Sequence, residues 1–251
     1  RSGMDISHML PEAWASGYAA LTEDEIQNGV VLIDIGAGTT DVAVFMAGVP
    51  RFTYTLNYGG RRLTQRLSGY MHCTMQQAEN IKYKLDLRCN KEDDDVVIYQ
   101  APIEEGARKY SKLELSKILY REVRSLNLTI GKKLFEAGWY TTKNGSPCNK
   151  LTGGIVLTGG TALLPGITEL FSTMPGPLAY TFSTRLGRSS YSGDACIGLN
   201  SPKESAVMGL IAYEAHLFKE GEDVEGEQDS SDDSLWAKFK RFATEFFIGQ
   251  Y

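Results

Sequence analysis

The sequence is poor in the residues that build metal centres and disulfide frameworks, with four cysteines and three histidines among 251 residues. Cys73, Cys89, Cys148 and Cys196 lie far apart and form no CxxC pair, which argues against a zinc site and reads as reduced cytosolic thiols. No apolar run is long enough to cross a bilayer, and the N-terminus has no signal-peptide pattern. Basic residues are outnumbered, 26 Lys and Arg against 31 Asp and Glu, so the sequence speaks against a nucleic-acid partner. Much of the acidic excess sits in one late tract, leaving the body closer to neutral. The 42% hydrophobic content is that of a globular chain with a substantial core. The chain opens Arg1-Ser2-Gly3-Met4 and reaches its first clear buried strand only at Val30, as a piece of a longer protein would.

What is there centres on VVLIDIGAGTTDVAVF, Val30 to Phe45. Two apolar, β-branched runs flank Gly36-Ala37-Gly38-Thr39-Thr40-Asp41, the pattern of a buried hairpin with a glycine turn. Glycine leaves peptide N–H groups uncovered, and uncovered N–H groups cradle phosphate oxygens. A carboxylate such as Asp34 beside phosphate needs a cation between them, which suggests Mg²⁺ held through water. An ordinary hairpin explains this segment alone equally well.

Taken in order, Pro11 can open a short helix carrying Ala13, Trp14, Gly17 and Tyr18, followed by an acidic turn at Thr22–Glu25. Phe52, Tyr54 and Leu56 alternate as a third strand of an antiparallel meander, which ends at Asn57-Tyr58-Gly59-Gly60. A helix then places Leu63, Leu67 and Tyr70 on one face. Thr74-Met75-Gln76-Gln77 has the form of a capping box, and the helix it opens carries Glu79 and Lys82 three residues apart. These two form either a solvated ion pair or a face for a ribose and base. A second capping box, Ser111 to Glu114, starts a long helix with Leu115, Ile118, Leu119, Val123, Leu126, Ile130 and Leu134 inward.

A second glycine turn follows at GIVLTGGTA, Gly154 to Ala162, where a strand is expected to run through Gly159-Gly160 directly into a helix. Beyond it, Ala179–Phe182 reads as a short strand, and Arg185 and Arg188 read as solvated or phosphate-facing arginines on a loop. A helix from Lys203 towards Leu217 has small residues, Ala206 and Gly209, for close packing. Residues 220–233 are strongly acidic and too polar to bury surface, so they read as a disordered spacer. In SLWAKFKRFATEFFIGQY, Leu235, Trp236, Phe239, Phe242, Phe246 and Phe247 share one sector of a helix flanked by Lys238 and Lys240. That is the pattern of an interfacial membrane helix facing anionic headgroups; a helix docked on protein is the alternative.

IDIGAGTTDVAVF resembles the second phosphate loop of the actin, Hsp70 and hexokinase superfamily, and IVLTGGTALLPGI resembles its adenosine motif. With ASGYAALTEDE, AENIK, SAVMGLIAY and the acidic linker before a terminal amphipathic helix, the chain is similar to the bacterial FtsA family. The resemblance implies an α/β, actin-like ATPase lobe of ribonuclease H-like topology with an inserted α/β subdomain and a C-terminal amphipathic helix. It implies a core lobe over residues 1–59 and 150–219, an insertion over 60–149, a linker over 220–233 and a membrane-targeting helix over 234–251.

It further implies ATP and Mg²⁺, with Asp34 near the metal and Gly36, Gly38, Thr39 and Thr40 at the β and γ phosphates. Gly59 and Gly60 would border the cleft, Glu79 and Lys82 would meet ribose and base, and Gly159, Gly160 and Thr161 would form the adenosine wall. Glu12 falls where relatives place a polar residue near the attacking water, although this chain reads Glu12-Ala13 where Gln-Pro is expected. No strong general base is evident, so ATP hydrolysis is expected to be weak or absent. Nothing before Arg1 supplies a first phosphate loop, so this chain alone would carry one wall of the cleft.

The implied role is a polymerising adaptor on the cytoplasmic face of the membrane at the division septum. Its partners would be its own copies, an FtsZ-like tubulin homologue, anionic lipid and other division proteins. A scaffold of another membrane machine, such as pilus assembly, or an Hsp70-like or sugar-kinase-like ATPase are the alternatives.

Overall fold

A computed structural model describes residues 9–100, 108–143, 146–174, 180–188 and 201–213. The acidic linker and the aromatic helix expected over 234–251 lie outside the described residues.

The described residues begin with two helices, α1 (Glu12–Ala20) and α2 (Glu23–Asn28), and then form β1 (Val30–Ile35), β2 (Thr40–Met46) and β3 (Val49–Leu56). These strands pair antiparallel in sequence order, the expected meander. Two strands from much later in the chain, β8 (Gly154–Thr158) and β11 (Thr184–Leu186), add in parallel on the other side of β1, giving the order β11-β8-β1-β2-β3. The centre of the sheet is therefore β1, and the carboxyl ends of β1 and β8 lie side by side, with Asp34 opposite Asp41 on one neighbour and Thr158 on the other. In open α/β sheets, ligands bind beyond such strand ends.

All six residues of β1 are buried because helices cover both faces. Val31, Ile33, Ile35, Val42 and Val44 face a large core shared with α3 (Gly60–Met71), α4 (Met75–Lys82) and α5 (Lys112–Glu136). Val30, Leu32, Ala43, Phe45 and Val156 face a smaller core with Ala13, Trp14 and Ala20 of α1. The closing helix, α7, described over residues 205–213, packs on α1 so tightly that a β-carbon on Gly209 would stand 1.6 Å from the Ala15 carbonyl oxygen. The close approach read from Ala206 and Gly209 is thus present at Gly209. Two-stranded ribbons complete the fold: β4 (Val97–Gln100) with β5 (Lys109–Ser111), β6 (Tyr140–Lys143) with β7 (Ser146–Asn149), and β9 (Thr173–Met174) with β10 (Tyr180–Thr181).

Several local expectations need correction. The acidic turn at Thr22–Glu25 is the start of α2, where the Thr22 hydroxyl and Glu25 carboxylate form a reciprocal capping box. Tyr70 is not on the buried face of α3; Met71 takes that place, and the Tyr70 hydroxyl donates to Glu114 at 2.5 Å. That bond also leaves the second expected capping box half made. The Ser111 hydroxyl caps the Glu114 N–H, but the Glu114 carboxylate turns to Tyr70 and Arg108.

Gly159-Gly160 does not lead straight into a helix. A single 3₁₀ turn, Gly160–Leu163, comes first, Leu164 is extended, and α6 (Ile167–Ser172) starts separately after Gly166. Arg185 is not on a loop, and its side chain is paired while partly exposed. It lies in β11, its guanidinium donates to the Glu25 carboxylate and to Ala20 O at 2.8 Å, and Glu25 is held below the usual carboxylate range despite its burial. Arg188 is exposed just beyond the strand.

Candidate functional site

The two glycine turns meet. Because β1 and β8 are parallel neighbours, the chain leaves both at the same end of the sheet. Gly159, with φ +85°, passes so close to β1 that a β-carbon there would lie 2.5 Å from Asp34 Oδ1 and 2.5 Å from Ile35 O. On the other side, Gly59 abuts the first turn, where a β-carbon would stand 2.6 Å from the Ala37 carbonyl. One acceptor joins all three segments. Gly36 O receives the Gly60 N–H at 3.0 Å and the Thr161 hydroxyl at 3.0 Å. Ala37 O receives the Arg61 N–H at 2.8 Å. The first amides of α3 therefore clamp the turn and are not turned outward.

Over this junction opens a cleft of about 320 Å³ lined by Ala37, Gly60, Arg61, Thr64, Glu79, Lys82, Tyr83, Gly160 and Thr161 together with Met75 and Gln76. Its size falls in the range of small-molecule sites. A second cleft, about 370 Å³ between α5 and α6, contains none of the residues singled out from sequence.

Glu79 and Lys82 are not a solvated pair. The Lys82 ammonium is buried and donates to Glu79 Oε1 at 2.7 Å, Thr64 Oγ at 3.2 Å and Gly60 O at 3.4 Å. Thr64 also donates to the other Glu79 oxygen. Burial works against ionisation of Glu79, but the hydrogen bonds from Lys82 and Thr64 outweigh it and hold its carboxyl below the usual value. The pair thus fixes α4 to the start of α3 and presents a charged, acceptor-bearing wall.

Asp34 lies behind the cleft, 5% exposed, with the Ser16 hydroxyl of α1 donating to Oδ2 at 2.5 Å. Burial raises its pKa from 3.8 to about 6; the Ser16 bond opposes the rise, and the charges of Glu12 and Asp41 add to it. Glu12 itself is exposed at the first position of α1 and does not line the cleft. Gly36 closes the turn by donating to Thr39 O at 3.0 Å, while Ala37 and Gly38 are exposed at its tip. Thr40 is buried, and its hydroxyl donates to Tyr58 O at 2.7 Å, so it holds the turn in place.

Gly60, Glu79, Lys82, Gly160 and Thr161 thus line one cleft, and Asp34, Gly36, Gly59 and Gly159 stand directly beneath or beside it. Sequence reading missed Ser16, Arg61, Thr64, Met75, Gln76 and Tyr83. Tyr83 was within reach: it follows Glu79 by four residues and so shares its helix face.

The donor set fits a magnesium nucleotide. An exposed glycine turn and Arg61 suit phosphates, and Glu79 suits hydroxyls. Among the described residues no cluster of three or more His, Cys, Asp or Glu side chains is present. A single buried carboxylate suits an ion that completes its shell with phosphate oxygens and water.

A family model described as Cell division protein FtsA matches residues 31–209. The chain belongs to the FtsA family. FtsA of Neisseria meningitidis serogroup B is 32% identical over 213 residues, 84% of this chain and 49% of that protein. FtsA of Borreliella burgdorferi is 30% identical over 220 residues, 85% of this chain and 49% of that protein. The chain therefore spans about half the length of the curated FtsA relatives it matches. Among solved structures, MreB5 of Spiroplasma citri bound to ADP superposes with a TM-score of 0.66 at 21% identity, covering 88% of this chain and 64% of that one. The AMPPNP-bound form gives 0.58 at 20% identity, covering 84% and 60%. The fold of this FtsA-family chain is that of an actin-like ATPase lobe. No helix among its described residues is long and apolar enough to cross a membrane.

Proposed function

We propose that this chain is the nucleotide-binding lobe of an actin-like cell division protein that binds Mg·ATP, polymerises, and tethers FtsZ-like filaments to the cytoplasmic membrane at the septum. The observation that carries the nucleotide part is the convergence of the two glycine turns on one cleft, joined through the Gly36 carbonyl. Polyphosphate would lie along the Gly36–Thr39 turn beside Arg61, and the nucleoside would lie between α4 and Gly160–Thr161. Mg²⁺, when bound, supplies charge compensation between the phosphates and Asp34. The residues of this chain would order the ligand. The reading is nucleotide-dependent assembly with little or no hydrolysis, with residues 1–59 and 150–219 as core lobe and 60–149 as the nucleotide-contacting insertion.

The intact protein is expected to bind Mg·ATP in titration calorimetry, and Lys82→Met to weaken it at least tenfold, because the ammonium organises Gly60, Thr64 and Glu79 at once. Equal affinities would remove α4 from the site, and no binding by the unaltered protein would end the nucleotide reading.

Membrane attachment rests on the aromatic sector of residues 234–251. Burying each large side chain contributes about 1.5–3 kcal/mol before ordering costs, so several together suffice for peripheral attachment. Phe242→Glu with Phe246→Glu is expected to abolish sedimentation with anionic liposomes; unchanged sedimentation would reject the anchor. The filament tether is supported by family membership, and co-sedimentation of the intact protein with FtsZ filaments tests it. Assembly on other division proteins belongs to the same reading.

A further inference from the structure

The buried residues of α1 are alanines, one glycine, Trp14 and a single aliphatic hydroxyl, that of Ser16, which is 0% exposed. A serine inside a helix ordinarily turns its hydroxyl back to the carbonyl four residues earlier. The Ser16 hydroxyl instead leaves its own helix and donates to Asp34 Oδ2 on β1 at 2.5 Å. The helix that carries it is wedged from several sides. The Trp14 indole donates to Thr53 Oγ on β3 at 3.0 Å. A β-carbon on Gly17 would stand 2.5 Å from the Phe45 ring, and the Ala15 carbonyl is pressed against Gly209 of α7. Ser16 is thus a fixed donor, placed by the packing of α1 and not by the carboxylate it meets.

We infer that Ser16 is a positioning residue for the metal: by holding Asp34 Oδ2 it sets the plane of the carboxylate and presents Oδ1 to the hydrated cation between Asp34 and the phosphates. The terminal torsion of an aspartate is broad, so a carboxylate without a fixed donor samples many orientations. Mg²⁺ demands near-octahedral placement of its ligands and waters, and such sampling weakens its hold. With Oδ2 engaged by Ser16, Oδ1 lies on the Gly159 side, where the missing β-carbon leaves it uncovered; one built there would stand 2.5 Å away. Folding alone does not ask for this pair, because two apolar side chains of the same shape would fill the space with no buried charge to satisfy. Residues that orient a metal's ligands, without touching the metal, tune its affinity in this way.

The inference rests on the Mg·nucleotide reading above, and its test separates the two. In the intact protein, ATP affinity is measured by calorimetry in Mg²⁺ and again in EDTA, for the unaltered chain, Ser16→Ala and Ser16→Cys. Thermal melting in EDTA establishes that each variant is folded before titration. Ser16→Ala is expected to lower the gain in affinity brought by Mg²⁺ roughly tenfold to a hundredfold, while affinity in EDTA stays within about twofold. Ser16→Cys, a weaker donor of nearly the same size, is expected to fall between the two and to serve alone if the alanine variant does not fold. Mn²⁺ bound beside a non-hydrolysable ATP analogue, followed by electron paramagnetic resonance, should dissociate from the variants in the same order. An unchanged Mg²⁺ gain in the variants overturns the inference and leaves the nucleotide reading standing. Equal losses in Mg²⁺ and in EDTA overturn it too, because Ser16 would then act on the whole lobe. If the unaltered protein binds ATP equally in Mg²⁺ and in EDTA, the metal role of Asp34 falls with it. If the unaltered protein binds no nucleotide under either condition, both readings fall together.

Discussion

Replacing Asp34 with asparagine is expected to raise the stability of the metal- and nucleotide-free protein at pH 8 while abolishing the Mg²⁺-dependent nucleotide binding proposed for it. Asp34 is 5% exposed at the centre of the sheet. Burial, offset in part by the Ser16 hydrogen bond and reinforced by Glu12 and Asp41, lifts its pKa from 3.8 to about 6. A folded-state value above the unfolded one means that the protonated form is the favoured one in the fold. The associated stability is present below about pH 4 and is lost as pH rises through about 6. At pH 8 the buried charge costs about 3 kcal/mol by that shift, and asparagine removes the charge while keeping the shape. A gain of about 1–3 kcal/mol, several degrees in melting midpoint for a chain of this size, is expected. The unaltered protein should also gain stability between pH 8 and pH 5, and the variant should lack that slope. Identical pH profiles would show that Asp34 is not held in this environment.

Gly159→Ala should be among the most damaging single-methyl changes in the described fold. Its backbone, φ +85° and ψ 163°, lies in a region essentially reserved for glycine, at a cost of about 1–3 kcal/mol. The added methyl would also meet Asp34 Oδ1 and Ile35 O at 2.5 Å, against backbone that sits in the central strand and cannot yield. Overpacking of this kind adds about 1–3 kcal/mol. Retreat is blocked on the other side, where the Gly159 N–H donates to Pro202 O at 2.9 Å and Thr158 is tied to Pro202 and Ser205. Gly138→Ala is the matched control: φ is +74° there too, but nothing lies within 4 Å of the added atom. Urea denaturation should show a loss of about 1 kcal/mol for the control and at least twice that for Gly159→Ala. Equal losses would mean that the turn can move away from β1.

The parts of this architecture that were legible in the sequence are those written in local periodicity. The β1–β2–β3 meander follows from two apolar runs and one alternating run, and the inward face of α5 from a repeat sustained from Leu115 to Leu134. What escaped depends on partners distant in sequence. Arg185 sits in a three-residue strand too short to show alternation, and its carboxylate partner is 160 residues away. Ser16 is one small polar residue in an alanine-rich helix until the sheet brings Asp34 beneath it. The Thr22–Glu25 capping box was hidden by its own acidity, because consecutive carboxylates read as a solvated turn. Tyr70 failed differently: it lies at the rim of the α3 stripe, where a hydroxyl with a carboxylate in reach prefers the surface. In the cleft, glycine spacing identified the backbone contributors, whereas the side chains that shape its wall required the packing of α4 on α3.

The doubly occupied carbonyl of Gly36 has a mechanical consequence. With the Gly60 amide and the Thr161 hydroxyl both hung on one oxygen, the hairpin tip, the start of α3 and the turn after β8 pivot about a common point. A ligand that draws the tip inward by an ångström must carry both flanking segments with it or break a bond to leave one behind. Movement of the tip and movement of the two flanking segments are then coupled through one oxygen.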